Sequence, residues 1–494
     1  MPGPRMTRRS FIGNTAGAAL AAAASQRLSA QPAPARKRPP NIIFVLADDL
    51  GWADLGCYGN RFNMTPNIDR LASQGLSFTN FYAAAPVCSP TRASIMSGQS
   101  PARLGLTAHI PGHWRPFEKL VEPPNAQFMP LPIVCCAEVL RDAGYATAHF
   151  GKWHLGDARH GPGQQGFDTI FEFVGHIVPP NRQTPPSTPP QPKRLAAYLA
   201  DLAIPFMENH PDRPFFIQIC HSAVHIPLDT TPDLRRKYET KPKVPGYPCH
   251  PLYAGLLEEM DTSVGRIMEA IDRLGLADNT LLIFASDNGG LIREAGGWPG
   301  TSNAPLRDEK GTLYEGGIRV PLIVRWPGVT KPGSTASQPA ITTDLYPTFL
   351  SAADGRAPQD QPLDAVTLMP LLRQPSATLN RFALYWHYPH YHHSRPASAI
   401  RAGDFKLIEF FDTARLELYN LKDDPGETKD LASQMPDKAR ELHAMLKQWR
   451  NDVNAQMPQP NPAYDPKRAA EWWSRSTIQP TEAPGAYKPP TSAP

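Results

Sequence analysis

Short apolar runs that end abruptly in polar residues recur along the chain. Asn41–Ala47 (NIIFVLA) stops at Asp48-Asp49-Leu50-Gly51, and Ala146–Phe150 leads into Gly151-Lys152-Trp153-His154. Phe215–Cys220 leads into His221 and His225, and Leu281–Ala285 into Asp287-Asn288-Gly289-Gly290. Pro321–Trp326 ends at Pro327-Gly328. Runs this short, apolar on successive residues and rich in Ile, Val and Phe, read as strands covered on both faces. Helical periodicity lies between them, over 133–143, 194–209 and 252–274. The alternation predicts an α/β fold with a large, mostly parallel central sheet flanked by helices. The polar clusters then fall just past the carboxyl ends of the strands, where open sheets of this class hold their ligands.

After about residue 375 the pattern changes. Ser398–Arg401, Asp404–Phe410 and Leu416–Leu421 read as short antiparallel strands, and Pro436–Val453 as one amphipathic helix. The expected organisation is a catalytic domain over 40–375, a smaller C-terminal α+β domain with an antiparallel sheet over 376–455, and a Pro-rich tail over 456–494. A length of 494 residues suits a large and a small domain. Prolines number 57, and Pro179–Pro192 alone carries seven, so that stretch is an extended surface loop.

Apolar residues make up 41% and charged residues 19%, as in a globular protein with a sizeable core. The net charge is only +4 and no Lys/Arg block occurs, so nucleic acid is not an expected partner. Residues 1–30 read as a twin-arginine signal. Thr7-Arg8-Arg9-Ser10-Phe11-Ile12 precedes an Ala/Gly-rich apolar stretch and a small-residue site at Leu28-Ser29-Ala30. That stretch is too short to span a bilayer, so export to the periplasm or medium is expected, without stable membrane insertion.

Of the six cysteines, Cys57, Cys88, Cys135, Cys136, Cys220 and Cys249, none is spaced as in a zinc or haem motif. Cys135-Cys136 opens a helical pattern and reads as packing. Cys88 lies in Pro86-Val87-Cys88-Ser89-Pro90-Thr91-Arg92-Ala93-Ser94-Ile95-Met96-Ser97-Gly98. Pro90 suits a first helical turn and Gly98 a helix end, which puts Cys88 at a helix N-terminus that favours anions, with Arg92 reaching the same region. From those residues alone, a buried thiol and a reactive low-pKa thiolate are both open.

Cys88-Ser89-Pro90-Thr91-Arg92 matches the C-x-P-x-R signature of the type I sulfatases, in the alkaline phosphatase superfamily, and the chain resembles that family over about residues 40–450. Further segments match in order: AlaAspAspLeuGlyTrp (47–52), GlyLysTrpHisLeuGly (151–156), HisSerAlaValHisIlePro (221–227), SerAspAsnGlyGly (286–290) and LysGlyThrLeuTyrGluGlyGlyIleArgValPro (310–321). The resemblance implies an alkaline phosphatase-like fold and a Cα-formylglycine made from Cys88 by a maturation enzyme. Asp48, Asp49, Asp287 and Asn288 are hard oxygen donors that suit calcium or magnesium better than zinc. The resemblance favours calcium and adds an oxygen of residue 88 as a ligand.

Lys152 and His154, two residues apart past a strand end, are expected to point to one face and to grip a sulfate oxygen and supply a base. His225 sits in an extended segment before Ile226-Pro227. The family usually has proline before this histidine, where this chain has Val224, and His221 is the competing candidate. The implied reaction begins with a geminal diol at residue 88, one hydroxyl of which attacks sulfur. The metal, Arg92, Lys152 and Lys310 offset charge on the sulfuryl oxygens; His225, helped by Lys310, protonates the leaving oxygen; His154 deprotonates the second hydroxyl to expel sulfate. A phosphonate or phosphate ester hydrolase, and an inactive binder of sulfated glycans, are the alternatives.

The expected substrate is a sulfated carbohydrate or another sulfate ester. Ala304-Pro305-Leu306-Arg307-Asp308-Glu309-Lys310-Gly311 resembles glycan-acting sulfatases, including galactosamine-6-sulfatases. The run Trp386-His387-Tyr388-Pro389-His390-Tyr391-His392-His393 either lines the cleft, with His387 and His390 as substrate-binding residues, or is a surface loop. It is not expected to form a second metal site, because the loop is too irregular.

Overall fold

The structure is a computed structural model that describes residues 38–293 and 299–474. The signal-like segment 1–30 and the tail beyond residue 474 lie outside the described residues. From Pro39 onward the described residues pack as one compact unit.

Eight strands form the central sheet: β1 (Asn41–Ala47), β2 (Leu76–Phe78), β3 (Ala146–Gly151), β4 (Thr169–Glu172), β5 (Phe215–Cys220), β6 (Thr280–Ser286), β7 (Leu322–Arg325) and β8 (Ser334–Ala336). Their spatial order is β8-β2-β7-β6-β1-β5-β3-β4. The expected runs are all strands of a mostly parallel sheet, in which the strand from the Pro321–Trp326 run, β7, is antiparallel to both β6 and β2. The five strands from β6 to β4 are parallel, and their carboxyl ends open to one side.

Alternation within β1 explains the two-sided burial. Ile42, Phe44 and Leu46 enter one core with Ala93, Ile95 and Met96 of α1 (Cys88–Ser97), Leu140 of α2 (Cys136–Asp142) and Phe349 of α3 (Leu345–Ala352). Ile43, Val45 and Ala47 enter the other, with Leu199 of the helix Leu195–Glu208 and Leu257, Met260 and Val264 of the helix Pro251–Arg273. Each β1 residue from Ile42 to Ala47 is fully buried. At about 25 cal/mol per Å² of apolar surface, this pattern supplies most of the stabilisation of the sheet.

The C-terminal sheet has four antiparallel strands, β9 (Ala383–Tyr388), β10 (Ala397–Ala402), β11 (Phe405–Phe410) and β12 (Arg415–Asn420). The first strand departs from the expected loop: Trp386, His387 and Tyr388 pair with Ala399, Ser398 and Ala397, and the Trp386 indole N–H and His387 Nε2 are met by partners from distant segments. One face covers Leu442 and Leu446 of the helix Pro436–Asp452. The other packs Trp386, Tyr388 and Ile408 on Tyr82, Val87, Leu313 and Ile318. This second sheet therefore backs the two segments that lead to Cys88 and away from Lys310. Gln459–Pro460 pairs with Leu120–Val121, so the start of the tail runs along the surface. Among the described residues no helix is long and apolar enough to cross a membrane.

A fully buried ammonium pins the two sheets together. Lys406 of β11 contacts Glu315 at 3.0 Å and Glu427 at 2.9 Å, and all three side chains have no solvent exposure. Glu315 also accepts from the Tyr82 hydroxyl at 2.7 Å, and its backbone N–H donates to Glu427 at 2.7 Å. Removing one member of a buried pair strands the other charge. Lys406→Met is therefore expected to lower the unfolding free energy by about 3–5 kcal/mol, measured by urea denaturation; a loss below about 1 kcal/mol, the size of a surface pair, would show that the network contributes little.

Candidate active site

Residues past the ends of β1, β3, β5 and β6 meet the N-terminus of α1. The turns are stitched by backbone contacts: Asp48 N–H donates to Ala223 at 2.9 Å, Lys152 N–H to Cys220 at 3.0 Å and Asp287 N–H to Ala47 at 3.2 Å. Gly289 is required by close approach, since a Cβ there would lie 1.8 Å from the Gly316 carbonyl oxygen. Asp49 takes a left-handed backbone (φ 60°), which aspartate tolerates.

Cys88 is the first residue of α1, all ten residues of which are buried, and Gly98 ends the helix in a left-handed cap. The helix start is held by Thr91, whose hydroxyl donates to the Ala85 carbonyl and accepts from its N–H. The Cys88 thiol is thus fixed at the positive end of the helix dipole.

Three carboxylates face three cations almost one for one. Lys152 Nζ lies 2.6 Å from Asp48 Oδ2, Lys310 Nζ 2.8 Å from Asp49, and Arg92 2.8 Å from Asp287 Oδ2 and 3.7 Å from Asp48 Oδ1. Burial pushes the Asp48 carboxyl up, but Lys152, His225, Arg92 and Lys310 together outweigh it and hold it well below the usual range. Burial and the Asp48 charge drive the Asp287 carboxyl up. Burial works against the charges of Lys152 and Lys310, yet Asp48 and Asp49 outweigh it and keep both above the ordinary lysine value.

The oxygen donors fit a hard divalent cation. Asp48 Oδ1 and Asn288 Oδ1 are buried with no hydrogen-bond partner. The Asn288 amide donates to Asp49 Oδ1 at 2.8 Å and to the Gly289 carbonyl at 2.9 Å, which turns its own oxygen away from both. Asp48, Asp287 and Cys88 bring donor atoms within 4.8 Å of one another. Two unsatisfied oxygens, one carboxylate and one amide, beside the Asp287 carboxylate are what calcium or magnesium coordination would satisfy.

His154 has its tautomer set by geometry. Nε2 lies 2.7 Å from the Ile110 carbonyl, which only accepts, so Nε2 carries the proton and Nδ1 presents its lone pair 3.2 Å from Cys88 Sγ. Burial, then Lys152, pushes this ring down to about 3, so it stays neutral across physiological pH. The reason expected for the pairing of Lys152 and His154 is corrected: β3 ends at Gly151 and His154 has a left-handed backbone (φ 59°), so a strand face does not align them.

His225 keeps 31% of its side chain exposed, with Nε2 3.6 Å from Asp49 Oδ2, and its Nδ1–H donates to the Ile226 carbonyl at 2.6 Å. Burial and Lys310 lower it to about 4. The competing His221 lines a separate small cavity with His176, Leu195 and Glu259.

The substrate-binding expectation for His387 and His390 is corrected. His387 Nδ1 bonds the Ser398 hydroxyl at 2.7 Å and Nε2 the Gln456 carbonyl at 2.9 Å. His390 Nε2 bonds the Thr107 hydroxyl at 2.8 Å and Nδ1 Glu122 at 3.0 Å. Both rings are buried and both are spent on the protein. Trp386 is also buried and donates to the Ala83 carbonyl, so it offers no face to a sugar.

His392 belongs instead to a cluster with His109 and His113, two residues that sequence reasoning passed over. Their i,i+4 spacing would suit one face of a helix, but the intervening Pro111-Gly112 breaks it, and the third member lies about 280 residues away. Burial, His113 and Lys310 hold His109 well below the usual imidazole value; burial, His393 and His113 do the same for His392.

Comparison with known proteins accords with this geometry. Residues 40–355 match the sulfatase family model, and residues 308–456 match the model of the C-terminal part of N-sulphoglucosamine sulphohydrolase. The chain is 32% identical over 501 residues to a sulfatase of Formosa agariphila, covering 84% of this chain and 89% of that one. It is 33% identical over 469 residues to human arylsulfatase A, covering 83% and 87%. Among solved structures, Ps i-CgsB in complex with k-i-k-neocarrahexaose superposes with a TM-score of 0.71 at 26% identity, covering 90% of this chain and 98% of that one.

Metal binding at the carboxylate cluster has a readout separate from catalysis. Saturating Ca²⁺ is expected to raise the melting temperature by about 2–5 °C, and Asp287→Asn to abolish most of that rise. An equal rise in the variant would place the cation elsewhere.

Proposed function

The chain belongs to the sulfatase family, and from that premise we propose that it hydrolyses sulfate esters of sugars through a formylglycine at position 88 and a calcium ion. One observation carries the reading: residue 88 sits at a helix N-terminus, 3.2 Å from the lone pair of a neutral histidine and ringed by three buried cations. Asp48, Asp49, Asp287, Asn288 and an oxygen of residue 88 would hold the ion. Once bound, calcium supplies positive charge beside the sulfuryl oxygens. Three carboxylates balance three cations, so a dication leaves an excess of two positive charges, matched to an anionic ester and to charge developing at its sulfuryl group. A formylglycine at 88, hydrated by one water, would offer two hydroxyls: one for attack on sulfur as the ester oxygen leaves with a proton, and a second whose deprotonation expels sulfate and restores the aldehyde.

Arg92, Lys152 and Lys310 orient the sulfuryl group and stay charged throughout. His154 takes the proton of the second hydroxyl at Nδ1, a role its Ile110 contact preorganises. His225 has spent Nδ1–H on Ile226, so Nε2 is the atom that delivers a proton to the leaving oxygen; the ring, neutral at rest because burial and Lys310 lower it to about 4, takes that proton up first. The substrate class rests on similarity to Ps i-CgsB, solved with a neocarrahexaose. Arg8-Arg9 and the following apolar stretch support export to the periplasm or medium by the twin-arginine route. Modification of Cys88 before export requires a maturation enzyme in the cytoplasm.

Two measurements test this. Mass spectrometry of the peptide carrying residue 88 should find CH₂SH replaced by CHO; active, natively exported protein with an intact thiol would overturn the mechanism. In parallel, sulfate esters should turn over far faster than matched phosphate or phosphonate esters, and the reverse preference would move the enzyme to the phosphonate hydrolase reading.

The proton donor is tested by leaving-group dependence. His225→Ala should lower kcat/KM for a sugar sulfate by about 10²–10⁴-fold, and for an aryl sulfate with a good leaving group by less than about tenfold. Equal losses on both would assign His225 to binding rather than proton transfer.

A further inference from the structure

We propose that His109, His113 and His392 form a second metal site, for a transition metal of the zinc class, beside the carboxylate site and chemically distinct from it. Ring nitrogens of the three side chains all lie within 4.8 Å of one another. The rings meet edge to face, with centroids 4.5 Å apart for His109–His113, 4.4 Å for His113–His392 and 5.6 Å for His109–His392. A tetrahedral ion bound at about 2.0–2.1 Å holds its nitrogen ligands about 3.4 Å apart, so small side-chain rotations close the site.

The second observation is unmet polarity. His109 Nδ1 and His392 Nδ1 are buried and make no hydrogen bond. Burying these two Nδ1 atoms in one cluster without a ligand leaves them desolvated and uncompensated. The Lys310 charge nearby opposes protonation of the group, so a proton is a poor way to satisfy it, whereas a coordinated cation uses the lone pairs directly.

Space has been made for the third ligand. Gly311 has φ 82°, and a Cβ there would lie 2.0 Å from His392 Nδ1. Any side chain at 311 would expel His392 from its position.

Ligand chemistry separates the two sites. Imidazole nitrogens select zinc, cobalt, nickel or copper, whereas the oxygen donors of Asp48, Asp49, Asp287 and Asn288 select calcium or magnesium. Three protein ligands leave a fourth position for water or for an oxygen of a bound ester.

The site also has a structural consequence. His109 precedes Ile110, whose carbonyl accepts from His154 Nε2 and whose N–H donates to the Ser89 hydroxyl at 3.1 Å. His392 abuts Gly311, next to Lys310. An ion there would tie the segment that orients His154 to the loop that carries Lys310, which makes the histidines positioning residues for the catalytic base. The inference does not depend on the activity: metal binding is measured directly.

The test is a Co²⁺ titration of the full-length enzyme in excess Ca²⁺, followed by visible absorption and metal analysis. One equivalent of cobalt should bind with the intense bands of tetrahedral coordination. His109→Gln and His392→Gln should each weaken binding by more than the about 10–100-fold that changes around a ligand cause. His392→Cys should keep binding and add a thiolate-to-cobalt charge-transfer band. His113→Gln, at a half-buried position, gives the same readout if the variant at buried His392 fails to fold. Asp287→Asn should lose calcium and keep the cobalt bands. The proposal is overturned if no cobalt binds in excess Ca²⁺, or if binding persists in the histidine variants and disappears in Asp287→Asn.

Discussion

Six charged side chains buried at one end of a sheet are the constraint on which the rest of the architecture depends. Asp48, Asp49 and Asp287 lose almost all solvent, as do Arg92, Lys152 and Lys310. Each would be prohibitive alone. They coexist because the pairing is almost one to one and because Asp48-Asp49, Arg92, Lys152, Asp287 and Lys310 come from five separate segments, so no single segment can form the site. Parallel strands satisfy this requirement well. Their carboxyl ends converge, and the turns after β1, β3, β5 and β6 put one or two polar residues each into the same small volume.

That arrangement also dictates what surrounds it. A site this charged needs rigid walls, since a small displacement of Lys152 or Arg92 would leave a carboxylate unpaired. The wholly buried α1 provides one wall and fixes residue 88. The four-stranded C-terminal sheet provides another, packing Trp386 and Tyr388 against the segments before Cys88 and after Lys310. Lys406 and Glu315 anchor that sheet by the same device used at the site, a buried charge met by buried partners. The C-terminal sheet therefore acts as support for the site, and the aromatic residues of β9 are packing groups, not a platform for a sugar.

The histidines show how environment assigns roles to one residue type. His154 is held neutral by burial and Lys152, and the Ile110 carbonyl, by taking its Nε2–H, leaves the lone pair aimed at residue 88. His225 is partly open and can meet an arriving leaving group. His387 and His390 are locked by Ser398, Gln456, Thr107 and Glu122. His109, His113 and His392 face one another, and nothing in their local sequence distinguishes them from the rest.

The strands that carry the site were legible along the chain, because a strand covered on both faces must be apolar at successive positions and must stop where the polar turn begins. Asp48, Asp49, Lys152, His154, His225, Asp287 and Asn288 could be singled out because they follow such ends, Cys88 and Arg92 because they open a helix within the family signature, and Lys310 through the family-like segment it begins. The direction of β7 was not legible, since an apolar run reads the same whichever way it pairs. Nor was β9, whose histidines and tyrosines look like a polar loop until the partners that satisfy them are known. The tautomer of His154, the fate of His387 and His390, and the meeting of His109 and His113 with His392 were decided only by the tertiary structure. Each depends on which atom from a distant segment lies within hydrogen-bond or ligand distance, and local sequence carries no record of that distance.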